Sequence, residues 1–277
     1  MPELPEAEVV AQQLRQRVLG AIIKDCWVGR EDIVRRGIEA LPWFRGARIA
    51  GAERYGKCVA IVCERDGETR YLVAELGMTG LLLFGPLTPR YQKHTHCVLT
   101  LDGGQASDLR YWNPRRFGRL YLLDRPGLAQ FVARRFGCDP LSVSWEDFRA
   151  LVLGRRGRLK PLLMHQQVIA GIGNIYANEI LFRARLHPGR LIRRVNEAAL
   201  RRLYRSMRLV LERAIMDGGS SVRDFFAPDG SEGRFKRRHL VYAKAGRRCP
   251  SGCGGTIKRL LGTDQRSSFY CPVCQRP

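Results

Sequence analysis

Apolar positions in the first 20 residues recur at helical spacing. Ala7, Val10, Leu14 and Val18 fall three or four apart, which predicts one helix with a buried stripe. Gly20 closes that run, and Pro5 is accommodated because it lies in the first turn, where no amide hydrogen is required. From residue 21 to 123 the pattern shortens to apolar or alternating runs: AIIKDCWVG, KCVAIVCE, RYLVAEL, LLLFG, CVLTL and GRLYLL. Gly, Pro and charged turns separate them, the texture of antiparallel strands in a sandwich or barrel. Helical periodicity returns after Pro126. Its clearest stretch spans Asn196 to Met216, with Leu200, Leu203, Met207, Val210 and Ala214 on one face and Arg201, Arg202, Arg205 and Arg208 on the other. Gly218 and Gly219 stop it, and Ser221 with Asp224 three residues on predicts a capping-box-like start. The switch from strands to helices predicts a domain boundary near 135–150.

Charge changes the picture more than composition does. Over 277 residues Lys and Arg number 48 against 26 Asp and Glu, a formal charge of +22. Such an excess points to a polyanionic partner, and the 45% hydrophobic content assigns it to a folded protein rather than a disordered tail. No apolar run reaches 18 residues and no secretory signal pattern is seen, so a soluble, cytoplasmic protein without a membrane partner is expected.

Nine cysteines are unevenly placed. Cys26, Cys58, Cys63, Cys97 and Cys138 are scattered through strand-like runs and are expected as small buried hydrophobes. Cys249, Cys253, Cys271 and Cys274 instead form C-x3-C and C-x2-C pairs with 17 residues between them. Two such turns can present four thiolates tetrahedrally to one structural Zn²⁺, and GTIKRLLG with RSSFYC predicts the hairpin of a zinc ribbon.

Several segments together carry a resemblance: the start MPELPEAE, Lys57 in YGKCVA, LGMTG at 76–80, NPRRFG at 113–118, GIGNIYANEILF at 171–182, and the cysteine tail with QRSSFYC. The chain closely resembles the bacterial formamidopyrimidine-DNA glycosylase family. The resemblance implies a multidomain α+β fold. Its parts would be an N-terminal β-sandwich with a leading helix (1–135), a helical helix–two-turn–helix domain (136–235) and a C-terminal zinc ribbon (236–277), with duplex DNA in a basic cleft. It also implies a monomeric, nucleoid-associated bacterial enzyme of base excision repair.

The chemistry follows from the residues. Removal of the initiator Met ahead of a small residue exposes the Pro2 nitrogen as a secondary amine. An α-amine of pKa about 7.7–8.0 is roughly 10% neutral at pH 7, against about 0.04% for lysine. Attack at sugar C1′ gives a permanently cationic iminium, an electron sink for loss of the base and then elimination of both phosphates. The resemblance implies that Glu3 protonates the deoxyribose ring oxygen, that Glu6 assists proton transfer and that Lys57 is a phosphate and catalytic-site lysine. It implies Met78, Arg115 and Phe117 as wedges filling the space of an extruded base. It assigns His94, Arg116, Lys160 and Asn174 to DNA, and Arg266 to the phosphate at the lesion. Glu179 belongs to the neighbouring helical framework.

Four features depart from the family pattern. Glu75 stands where His is usual, Asn113 where Asp is usual, and His165 follows LLM where Asp is usual. A carboxylate at 75 would repel DNA unless a cation pairs with it. The segment aligned with the lesion-capping loop carries Lys236, Arg237, Arg238 and His239, a basic cluster suited to phosphates rather than to one base edge. The expected function is a bifunctional glycosylase and apurinic/apyrimidinic lyase acting on formamidopyrimidines and 8-oxoguanine by β,δ-elimination. Two alternatives stay open: an endonuclease VIII-like glycosylase for oxidised pyrimidines, and a non-catalytic damage-binding paralogue.

Overall fold

The computed structural model describes residues 2–86, 89–221, 225–262 and 266–276. The chain divides into two compact units, Met1–Arg135 with Asp217–Lys236, and Phe136–Met216 with Arg237–Pro277.

In the first unit the predicted leading helix is α1 (Leu4–Arg17), with Pro5 in its first turn and Ala7, Val10, Leu14 and Val18 buried. Gly20 follows at φ +83°. Nine strands come next: β1 (Ile22–Val28), β2 (Val34–Arg36), β3 (Arg48–Tyr55), β4 (Cys58–Arg65), β5 (Glu68–Glu75), β6 (Leu81–Phe84), β7 (Thr95–Asp102), β8 (Asp108–Trp112) and β9 (Arg119–Asp124). They join in the order β2-β9-β5-β4-β3-β1-β7-β8-β6, antiparallel except for β2 with β9. The seam between β1 and β3 is a single register pair, Ile22 opposite Arg48. The ladder turns over there into two layers. Ile61, Leu72 and Ala74 from one side share a core with Leu83, Leu99 and Leu109 from the other, a β-sandwich held by apolar burial. β4 lies against α1 as well as inside the sandwich, which is why its VAIVC run is apolar on both faces.

Residues 217–236 belong to this same unit. Phe225 is buried in the sandwich core, the Phe84 amide donates to Pro228 O, and the Asp229 amide donates to the Gln13 side chain. Asp224 lies outside the described residues. Ser221 Oγ accepts from the Gly233 amide and donates to Phe225 O, while 225–228 are non-helical. Helix α3 (Arg125–Arg135) ends the first pass through the unit.

The second unit contains α4 (Trp145–Leu153), α5 (Leu159–Met164), α6 (Asn174–Arg183) and α7 (Glu197–Met216), then β10 (Lys258–Leu261) and β11 (Ser267–Tyr270) as an antiparallel hairpin. The Ser144 hydroxyl caps α4 by accepting the Asp147 amide. The predicted stripe of α7 is buried throughout: Leu200, Leu203, Met207, Val210 and Ala214. Helix α6 is buried from Ile175 to Phe182 because α5, α7 and β11 all pack on it, so GIGNIYANEILF has no solvent-exposed face and its polar groups must bond within the unit. Among the described residues no helix is long and apolar enough to cross a membrane.

Candidate active site and nucleic-acid interface

Pro2, Glu3 and Glu6 are all buried at the start of α1, the two carboxylates at 1% exposure each. Glu3 occupies the cap position and Glu6 the third helical position, so Glu6 Oε2 accepts the Glu3 amide at 2.8 Å. Its other oxygen, Oε1, accepts the Ser220 amide at 2.6 Å. This second bond spans 214 positions of sequence and ties the helix start to the stretch after α7. Gly219 makes it possible: at φ +82° it lies so close that an added Cβ would stand 2.9 Å from Glu6 Oε1. Lys57, expected to open a strand, lies one residue earlier, in the tight turn between β3 and β4, and is half-buried.

The three expected wedge residues come together on two touching loops. The turn after β5 is closed by the Gly80 amide donating to Leu76 O at 2.7 Å, and it leaves Met78 41% exposed. Phe117 is 55% exposed, with the Arg115 guanidinium 4.8 Å from its ring centroid. A Cβ on Gly77 would stand 2.5 Å from the Gly118 amide nitrogen, so the loops meet backbone to backbone. Beside them Trp27, Arg30, His94, His96 and Arg116 line a cavity of about 430 Å³. His94 and Arg116 both hold left-handed backbone conformations, φ +74° and +53°, which side-chain-bearing residues seldom adopt without compensation. His96 Nε2 donates to Asn113 O at 3.1 Å, and burial holds its pKa below the usual histidine value.

Glu75 does find its cation. Arg135 Nη2 and Nη1 reach its two oxygens at 2.6 and 3.2 Å, and Tyr121 donates to Oε2 at 3.1 Å. Burial works against the Arg135 charge, but the paired carboxylate outweighs it and holds that guanidinium's pKa above the ordinary arginine value. Neither Arg135 nor Tyr121 carries a sequence signal that would have found it. Asn113 is fully buried within a hydrogen-bond chain, and His165 is exposed at the end of α5.

In the second unit Lys160 is 5% exposed, and its ammonium donates to Ser267 O and Ser268 Oγ, both at 2.9 Å. The residue expected at DNA therefore also ties α5 to β11. Asn174 opens α6 half-buried, and its C=O accepts from the Asn178 side chain. Asn178 Oδ1 in turn accepts the Phe269 amide at 2.7 Å. Glu179, 2% exposed, accepts the amides of Leu240, Val241 and Tyr242 at 2.8–3.0 Å. Burial raises its pKa and the three amides oppose that rise. Lys236, Arg237 and Arg238 are exposed as expected. His239 leaves the cluster: it is 4% exposed, its ring edge-on to Tyr242, so burial against that ring removes it from the surface. Arg266 is exposed at the entry to β11.

The thiols of Cys249, Cys253, Cys271 and Cys274 lie within 4.8 Å of one another. The Cys253–Cys271 and Cys249–Cys274 sulfurs are 3.5 and 3.8 Å apart. Four sulfurs about 2.3 Å from a tetrahedral centre stand about 3.8 Å apart, so the set fits a metal of that size. The Gly255 amide draws the Cys253 pKa down to about 6, while burial pushes Cys274 up to about 12. The four thiols cannot all ionise unless a cation shares their charge. Of the scattered cysteines, Cys58, Cys63 and Cys97 are buried as expected; Cys26 and Cys138 are only half-buried.

Comparison with known proteins agrees with this geometry. Residues 1–120 match the model of the formamidopyrimidine-DNA glycosylase N-terminal domain, and 136–225 that of the formamidopyrimidine-DNA glycosylase H2TH domain. The chain is 40% identical to the formamidopyrimidine-DNA glycosylase of Solibacter usitatus over all of both chains. It is 41% identical to that of Thermus thermophilus over 99% of this chain and 98% of the relative. Among solved structures, Lactococcus lactis Fpg bound to abasic-site DNA superimposes with a TM-score of 0.88 at 30% identity, covering 99% of this chain and all of that one. The Thermus thermophilus MutM structure superimposes with a TM-score of 0.85 at 38% identity, covering 99% and 98%. The chain belongs to the formamidopyrimidine-DNA glycosylase family.

Proposed function

We propose that the protein is a bifunctional DNA glycosylase and abasic-site lyase that removes oxidised bases from duplex DNA. The observation that carries the reading is the buried start of α1, where Pro2 sits beside two carboxylates and one of them is pinned by two backbone amides. With Met1 removed, the Pro2 amine attacks C1′ while Glu3 protonates the ring oxygen, and the base leaves with the electron pair of its glycosidic bond. The ring-opened iminium acidifies the C2′ hydrogen; loss of that proton expels the 3′-phosphate, and a second elimination expels the 5′-phosphate. Glu6 serves that site by fixing the Glu3 amide and the 218–220 segment. Lys57, His94, Arg116, Asn174 and Arg266 hold phosphates, joined by Lys160 through its hold on β11. Met78, Arg115 and Phe117 fill the duplex where the base has left.

Zinc is the metal that four thiolates at this spacing select, and it would close the ribbon without an open position for chemistry. Lys236, Arg237 and Arg238 support a substrate range in which abasic sites and ring-opened formamidopyrimidines are processed well and 8-oxoguanine poorly, because long cationic side chains seek phosphates.

Borohydride trapping on abasic-site DNA tests the reading. A covalent adduct mapping to Pro2 is expected, and Pro2→Gly should weaken base excision more than cleavage of a preformed abasic site. Tight binding without an adduct would reject the lyase and favour a damage-binding paralogue, and an adduct through Lys57 would reject the nucleophile.

A further inference from the structure

Glu75 and Asn113, two of the positions at which the chain departs from its family, are joined by one hydrogen-bond chain whose proton positions are fully determined. The Glu75 carbonyl can only accept, so the Tyr111 hydroxyl spends its single proton there, at 2.7 Å. The Tyr111 oxygen must then accept, and it does so from Asn113 Nδ2 at 2.9 Å. Asn113 Oδ1 in turn accepts the Arg116 amide at 3.0 Å. Asn113 and Tyr111 are 0% and 2% exposed, so water cannot replace a lost bond. Glu75 immediately precedes the Met78 turn, and Asn113 opens the loop carrying Arg115 and Phe117. Gly118 lies across the junction, where a Cβ would meet Glu75 O at 2.1 Å and the Tyr111 hydroxyl at 2.3 Å. The Glu75 side chain is held independently by Arg135 and Tyr121, so neither end of that residue can slide.

We propose that Tyr111 and Asn113 are positioning residues that lock the Met78 turn and the Phe117 loop into one register, and that this register is what lets the two side chains enter a duplex together. The proposal rests on the wedge reading above. It requires an amide at 113: an aspartate has no proton to give Tyr111 at neutral pH, so the hydroxyl would turn toward it and release Glu75 O.

The test uses the full-length, zinc-loaded protein with Tyr111→Phe, Asn113→Asp and the double variant. Substrates are a formamidopyrimidine duplex and the matching abasic duplex, which has no base to evict, each with 2-aminopurine beside the lesion to report unstacking. Each single change should slow unstacking and base removal together by about tenfold or more, the scale of a buried group left unsatisfied, while abasic-site cleavage stays within about twofold. Once Tyr111→Phe is in place, Asn113→Asp should add little, because the hydroxyl they contend for is gone. Equal losses on both substrates, or additive effects in the double variant, would overturn the proposal in favour of a general structural role. Met78→Ala separates the two readings. If it slows unstacking and Tyr111→Phe does not, the network role is wrong; if neither slows unstacking, the wedge reading falls and this proposal with it.

Discussion

Glu6→Gln is the sharpest probe of how the N-terminal site is held. The carboxylate accepts two backbone amides, from Glu3 at 2.8 Å and Ser220 at 2.6 Å, at 1% exposure. Glutamine keeps one acceptor oxygen and turns an NH₂ toward the other amide, so one charge-assisted bond is lost and two donors face each other. A bond of that kind contributes about 1.5–3 kcal/mol. For a unit of about 150 residues each kcal/mol moves Tm by about 2–4 °C, so a drop of roughly 3–12 °C is expected. Trp27, Trp43 and Trp112 belong to this unit, and their fluorescence on heating the zinc-loaded protein is the assay. Gly219→Ala disturbs the same junction while leaving the carboxylate itself chemically unchanged. Its Cβ would meet Glu6 Oε1 at 2.9 Å in a left-handed conformation that itself costs about 1 kcal/mol. Because both changes act on one contact, the double variant should lose less than the sum of the two. A Tm within about 1 °C of the parent for Glu6→Gln, or strict additivity with Gly219→Ala, would refute the claim that this carboxylate pins the two segments.

Three further outcomes are expected. His96 is held below the usual histidine pKa by burial, so the folded unit binds fewer protons than the unfolded chain, and stability should fall as pH drops below about 6.5. His96→Gln, which keeps a donor for Asn113 O but cannot titrate, should flatten that decline in denaturant melts between about pH 7 and 5; an unchanged slope would assign it to other groups. Cys271→Ser should reduce bound zinc below one per chain and weaken binding to abasic DNA, since Arg266 stands on the hairpin the four thiols close; metal-free protein binding as tightly as holoprotein would reject this. Glu179→Gln should destabilise the second unit by about 1–3 kcal/mol, because an amide oxygen cannot serve three backbone N–H groups on both sides of the carboxylate; unchanged hydrogen-exchange protection at 240–242 would count against it.

The sequence made legible whatever repeats along the chain. Helices α1 and α7 follow from spacing alone, β4 and β5 from their apolar runs, and the four-cysteine cluster from two short cysteine loops. β3 and β8 carry no such run because Arg48, Gly51, Glu53 and Arg54, or Asp108 and Arg110, interrupt their apolar positions; pairing with β4, and with β6 and β7, forms these strands despite weak local signal. What no spacing could reveal is the set of single polar bonds that tie distant segments around the candidate site. Glu6 to Ser220 spans 214 residues, Lys160 to Ser267 spans 107 and Glu75 to Arg135 spans 60. Each joins positions whose neighbours carry no periodicity, and each depends on a backbone amide, a carbonyl or a guanidinium that any local pattern would treat as ordinary. The first of these bonds bears on why residues 217–236 return to the first unit after a helix that belongs to the second. That stretch offers only a few apolar anchors such as Phe225, and Glu6 supplies a buried carboxylate that the amide at Ser220 would otherwise lack. In the proposed chemistry Glu6 stands beside Pro2 at the start of α1, so the candidate site and one anchor of the returning chain share a single side chain. Substitutions there should therefore disturb fold and activity together, whereas changes at Tyr111 or Asn113 should separate them.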